Sequence, residues 1–141
     1  MRNTVTKNFL IPLVLVAPAV LAVPAVATPA TTAKRFHVDS SCAGYETDIR
    51  RGAAHWQGRL VEGGGFRVSC QEKISCAGIA AAGCWTNNQI LLAPRSVPTL
   101  LALVSAHEFG HSLGHLHSSG CADWNNVMGT PLCPQPRTVI D

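Results

Sequence analysis

Apolar and polar positions divide the chain into stretches of different character. Residues 9–27 carry no charge, and they follow an opening segment, 1–8, that holds Arg2 and Lys7 but no acid. The apolar run ends in Ala25-Val26-Ala27. A positive start, an uncharged apolar run and a small-residue end read as a secretory leader removed after Ala27, with Ala30 as a second site. The competing reading is an uncleaved anchor, but Pro12, Pro18 and Pro24 disfavour a persistent spanning helix. Residues 28–34 show no periodicity and read as a flexible arm, which leaves 35–141 as the folded domain.

Within that domain the period changes several times. Residues 35–39 alternate and predict a first strand. Across 44–58, Tyr45, Ile49, Ala53 and Trp56 recur at spacings of four, four and three, one face of a helix that Gly58 can end. Two β-prone pieces, 59–62 and 66–70, are separated by Gly63-Gly64-Gly65 and predict a hairpin or a tightly bent strand. The Gly- and Ala-rich stretch 76–84 predicts a loop. Residues 86–92 predict another strand, ended by Pro94, and a second helix is expected to start near Ser96 or Pro98. There is no internal repeat.

Composition narrows the classes. The 141 residues, 47% apolar and 13% charged, fit one small domain and exclude a large multidomain enzyme. Eleven Lys and Arg against eight Asp and Glu give +3, and removal of the leader with Arg2 and Lys7 leaves nine against eight, or +1. Beyond Lys34-Arg35 the only adjacent basic pair is Arg50-Arg51, so no clustered basic face points to nucleic acid. All six cysteines, Cys42, Cys70, Cys76, Cys84, Cys121 and Cys133, lie after Ala27. An even number in a small exported chain reads as three disulfides with fifteen possible connectivities. Paired Cys-x-x-Cys units are lacking, so a cysteine zinc site is a weak alternative.

The strongest chemical signal lies in the second helix. Residues 105–117 contain His-Glu-x-x-His followed by x-x-Gly-x-x-His, placing His107, Glu108, His111, Gly114 and His117 at fixed spacing. Two histidines four apart on a helix are offset by about 40° and rise about 6 Å, so both imidazoles can reach one zinc ion. Glu108 points about 100° away from His107 and can serve as general base on a zinc-activated water. Gly114 permits the left-handed turn that brings His117 back as third ligand. His115 does not match the ligand spacing and reads as a cleft-rim residue. His37 and His55 read as structural or exposed.

At these residues the sequence resembles the metzincin clan of zinc endopeptidases. The resemblance implies a small α+β domain with a twisted sheet, two main helices, the second carrying the zinc site, and a methionine turn, for which Met128 in Asn126-Val127-Met128-Gly129 is the candidate. Ser118 directly after His117 is similar to matrixins. The chain size, the leader, and Cys121 and Cys133 bracketing Met128 resemble snapalysins, the small secreted proteases of actinobacteria, although those place an Asp where this chain has His117. The resemblance further implies a Cys121–Cys133 bridge, leaving Cys42, Cys70, Cys76 and Cys84 to pair in an unassigned order. It implies one catalytic Zn2+, protein or peptide substrates laid antiparallel on the strand at 86–92, and a side-chain pocket bounded by 130–133 that accepts a hydrophobic or aromatic residue after the cleaved bond. Neither His115 nor Tyr45 is placed by sequence to assist at the carbonyl oxygen. Calcium is not indicated, and the expected product is a secreted monomer with no membrane association once the leader is removed. Two alternatives use the same residues differently: a secreted disulfide-rich module stabilised by zinc without catalysis, and a structural or toxin-like protein with no metal.

Overall fold

The computed structural model describes residues 32–132. The leader read at 1–27, the first part of the arm and Cys133 lie outside the described residues. Strand β1 runs over Lys34–Val38, so it begins at the last residue assigned to the arm and stops short of Asp39. A 3₁₀ turn at Ser40–Cys42 leads into helix α1, Glu46–Ala54, which is shorter than the 44–58 expected. Tyr45 is its N-cap, and Trp56 falls beyond its end because the bonds His55 to Gly52, Trp56 to Ala53 and Gln57 to Ala54 tighten the last turn.

The two β-prone pieces do not form a hairpin. Strands β2, Leu60–Glu62, and β3, Phe66–Cys70, both run parallel to β1 on its opposite sides, with Phe36 beside Glu62 on one edge and beside Phe66 on the other. Gly63-Gly64-Gly65, all at positive φ, carries the chain across β1. A Cβ at Gly65 would fall on the Arg35 carbonyl, a close approach that only glycine permits. The bent-strand reading therefore replaces the hairpin, the local signal being the same for both.

Two further expectations change. Where a loop was expected at 76–84, strands β4, Ile74–Cys76, and β5, Ile79–Ala81, pair antiparallel around Ala77-Gly78. The single strand expected at 86–92 is instead a hairpin of β6, Gly83–Thr86, and β7, Gln89–Leu92. Its turn is Asn87-Asn88, with φ of 47° and 57°, the two left-handed residues that match the twist of a tight hairpin. The main sheet has the order β2-β1-β3-β7-β6, parallel except for β6, which is an edge strand. A second 3₁₀ turn, Pro94–Ser96, closed by Ser96 Oγ on the Ala93 carbonyl, delays helix α2 to Leu101–Ser112, later than Ser96 or Pro98.

The protein is thus α+β, with α1 and α2 packed on one face of a mixed sheet. Phe36, Phe66 and Phe109 meet ring to ring, and Ile49, Val68, Ile90, Leu92, Leu101 and Val104 fill the layer around them. Each such side chain contributes roughly 1.5–3 kcal/mol by leaving water. The helices meet at Gly52, where a Cβ would lie 2.7 Å from the Ala106 nitrogen and the Ser105 Cβ. Disulfides Cys42–Cys70 and Cys76–Cys84 resolve the pairing that the sequence left open. Cys121 is also disulfide-bonded, while its expected partner Cys133 lies outside the described residues. These bridges fit an oxidising, extracellular setting. Among the described residues no helix is long and apolar enough to cross a membrane.

Candidate metal centre

Helix α2 is buried over almost its whole length, so its histidines project from a rigid element. It ends in a paired capping motif: Gly114, at φ +89°, donates to the His111 carbonyl, and His115 donates to the Gly110 carbonyl. This reverses the chain after one turn and returns His117 to the helix. His107, His111 and His117 then converge, with Nε2 atoms 3.0, 3.1 and 3.2 Å apart. Among the described residues this is the group that could hold a metal ion.

The orientation of two rings is fixed from behind. His107 Nδ1 lies 2.7 Å from the Val127 carbonyl, and His111 Nδ1 lies 2.8 Å from the His115 carbonyl. A carbonyl can only accept, so each Nδ1 carries the proton and each Nε2 turns an unprotonated lone pair toward the common centre. Burial pushes both imidazoles below the ordinary histidine value, with these carbonyl bonds opposing it and the neighbouring histidines adding to it. The neutral ring is the form that ligates. His107 is 9% exposed whereas His117 is exposed, so the group opens to solvent on one side.

Glu108 lines the same cleft and is 6% exposed. Burial pushes its carboxyl up to about 7, opposed by a hydrogen bond from the Trp85 backbone. The edge strand β6 supplies that backbone group and comes close because residue 83 is glycine: a Cβ there would lie 2.7 Å from both Cγ and Oε1 of Glu108. On one side of Glu108 a pocket is lined by Ala82, Gly83, Val104, Gly129, Thr130 and Leu132. On the other side the cleft is lined by Trp85, Leu116 and the histidines.

Met128 packs with Leu103, Ala106 and Val127, and its sulfur occupies the place a side chain on Gly110 would take. The segment past His117 is held to it, since Ser118 N–H donates to the Met128 carbonyl. His115 does not join the three histidines; its ring stacks on Trp56. Tyr45 lines a separate groove with Ser41, Cys70 and Pro94, away from Glu108. His37 lies in β1 and His55 contacts Trp56 and Trp124, neither in the metal group. The sequence did not reveal Gly83, Trp85, Trp56 or the Val127 carbonyl as parts of this centre. A lone Gly opening a strand gives a signal of close backbone approach, and Gly83 carried it. No family model, curated protein or solved structure matches the chain.

Proposed function

We propose that this chain is a secreted zinc-dependent endopeptidase of metzincin type, acting on proteins or peptides. The observation that carries the reading is the convergence of three imidazole nitrogens, 3.0–3.2 Å apart, in an open cleft that also holds a buried carboxylate. Those separations approach the edge of a tetrahedron with Zn–N bonds of about 2.0–2.1 Å, which is about 3.3 Å. A bound zinc ion would supply Lewis acidity, polarising the peptide carbonyl and acidifying the attacking water.

The chain's own residues do the rest. Glu108 accepts the proton as water oxygen bonds to the carbonyl carbon, and delivers it to the amide nitrogen as the C–N bond breaks. The substrate strand expected at 86–92 is largely the interior strand β7, so the outer edge left to support an extended peptide is that of β6, laid antiparallel to it and binding the main chain with little regard to sequence. With β6 running from Gly83 to Thr86, an antiparallel peptide enters beside Trp85 and leaves beside Ala82. Its residue after the scissile bond then meets the pocket of Val104, Thr130 and Leu132, whose apolar walls favour a hydrophobic or aromatic side chain. The disulfides and the leader-like start support export.

Casein cleavage with and without a chelator tests the reading. Loss of cleavage on chelation and recovery with added zinc are the expected results. A zinc-loaded, folded protein that cleaves nothing would instead favour a zinc-stabilised binding module.

A further inference from the structure

Two residues outside the ligand group are bonded to it from behind. Trp56 Nε1 donates to the Ala106 carbonyl at 2.8 Å, one residue before His107. Its indole also lies against Gly110, one residue before His111, where a Cβ would come 2.6 Å from the ring. The ring of His115 stacks on that indole, with centroids 4.6 Å apart and planes 26° apart. On its outer side His115 Nε2 lies 2.9 Å from Arg59 Nη1. A guanidinium only donates, so this nitrogen accepts. The main chain of His115 binds back to the helix twice: its N–H donates to the Gly110 carbonyl, and its carbonyl accepts from His111 Nδ1. A closed circuit therefore runs from α2 to Trp56, across the stack to His115, and through His111 back to α2.

We propose that Trp56 and His115, with Arg59 as the outer layer, form a brace that sets the affinity of the His107, His111 and His117 group for its metal. The inference rests on the metal-centre part of the reading above. Beyond Gly114 the chain carries one ligand, His117, and one orienting carbonyl, that of His115, on a short exposed segment. Without the stack this segment is held only at its ends, by the His115 main-chain bonds to α2 and by Ser118 on Met128, and the freedom it loses when the ion binds is subtracted from affinity. Stacked on a ring that is itself bonded to α2, it is ordered beforehand. Groups that orient ligands in this way typically change metal affinity by 10- to 100-fold. Trp56 and His115 are positioning residues, outside the group that could hold the metal.

The test uses the disulfide-bonded chain prepared without metal, with zinc affinity measured by competition against a chromogenic chelator. Ligand geometry is read from the absorption bands of bound cobalt, and the thermal midpoint of the metal-free protein is the control. His115→Ala is expected to weaken zinc binding roughly 10- to 100-fold and to shift the cobalt bands. His115→Phe, which keeps a ring on Trp56, recovers most of that affinity. Trp56→Phe keeps a ring but loses the bond to Ala106, and it weakens binding in the same direction whether or not His115→Ala folds. Wild-type affinity in His115→Ala or in Trp56→Phe, or His115→Phe as weak as His115→Ala, overturns the brace while leaving the metal centre standing. A wild-type chain that binds no zinc overturns both.

Discussion

Glu108 can be tested by a change that keeps its volume and removes its charge. Glu108→Gln is expected to retain one zinc per chain and the wild-type melting temperature while losing activity by roughly 10²- to 10⁴-fold, the contribution of a positioned proton acceptor. Cleavage of a quenched peptide, beside metal analysis of the same sample, checks this. The three histidines separate by a different measurement. His117 is exposed, so His117→Ala should abolish zinc binding while leaving the metal-free protein as stable as wild type. His107 is buried and its Nδ1 satisfies the Val127 carbonyl, so His107→Ala should lose zinc and also cost roughly 1–3 kcal/mol for the carbonyl left unpaired. Equal melting curves for the two metal-free variants would refute that distinction. The ligand group was legible in sequence because all its members fall within eleven residues, 107–117, where helix geometry and one glycine turn decide their positions. Their supports were not legible. Trp56, Gly83 and Val127 reach the site only through tertiary packing, which no local spacing encodes.

The elements themselves meet with little room to spare. At the crossing of α1 and α2 a methyl group on Gly52 would lie 2.7 Å from the Ala106 nitrogen and 2.8 Å from the Ala102 carbonyl, both backbone atoms that cannot swing aside. Gly52→Ala should therefore destabilise the fold by roughly 1–3 kcal/mol despite the better helix propensity of alanine, read as a melting temperature lower by several degrees. The sequence marked α1 correctly as amphipathic, since Ile49 and Ala53 are buried where the spacing puts them, but it gave no reason for a glycine between them. Strand assignments went astray at turns. Asn87-Asn88 was absorbed into an apolar run, although two adjacent asparagines are among the residues that tolerate left-handed φ. Asn87→Val should cost roughly 1–2 kcal/mol in denaturant titration, the penalty of a β-branched residue at that φ. Strand β5 escaped notice in part because alanine carries little β preference, and at three residues each neither β4 nor β5 gives a period to read.

At the scale of the molecule the disulfides act on chain segments of different length. Cys42–Cys70 spans 28 residues and Cys76–Cys84 spans 8, so unfolded-chain entropy assigns roughly 3.5 kcal/mol to the first and roughly 2.5 kcal/mol to the second. The paired replacements Cys42→Ala with Cys70→Ala should accordingly lose more stability than Cys76→Ala with Cys84→Ala, and guanidinium titration of the two ranks them. The reverse order would show that strain or packing outweighs loop closure. The α+β character was legible from the alternation of elements, whereas the strand order was not, because β2 and β3 flank β1 through three glycines that locally resemble any turn. The first strand among the described residues is therefore an interior strand, gripped on both sides by neighbours made later. If the leader read at 1–27 is cut after Ala27, β1 stays whole, whereas trimming through 34–36 would remove every residue of β1 that pairs with β2 and set that strand adrift. A processing enzyme acting on this chain would thus have the few residues between Ala27 and Lys34 as its margin.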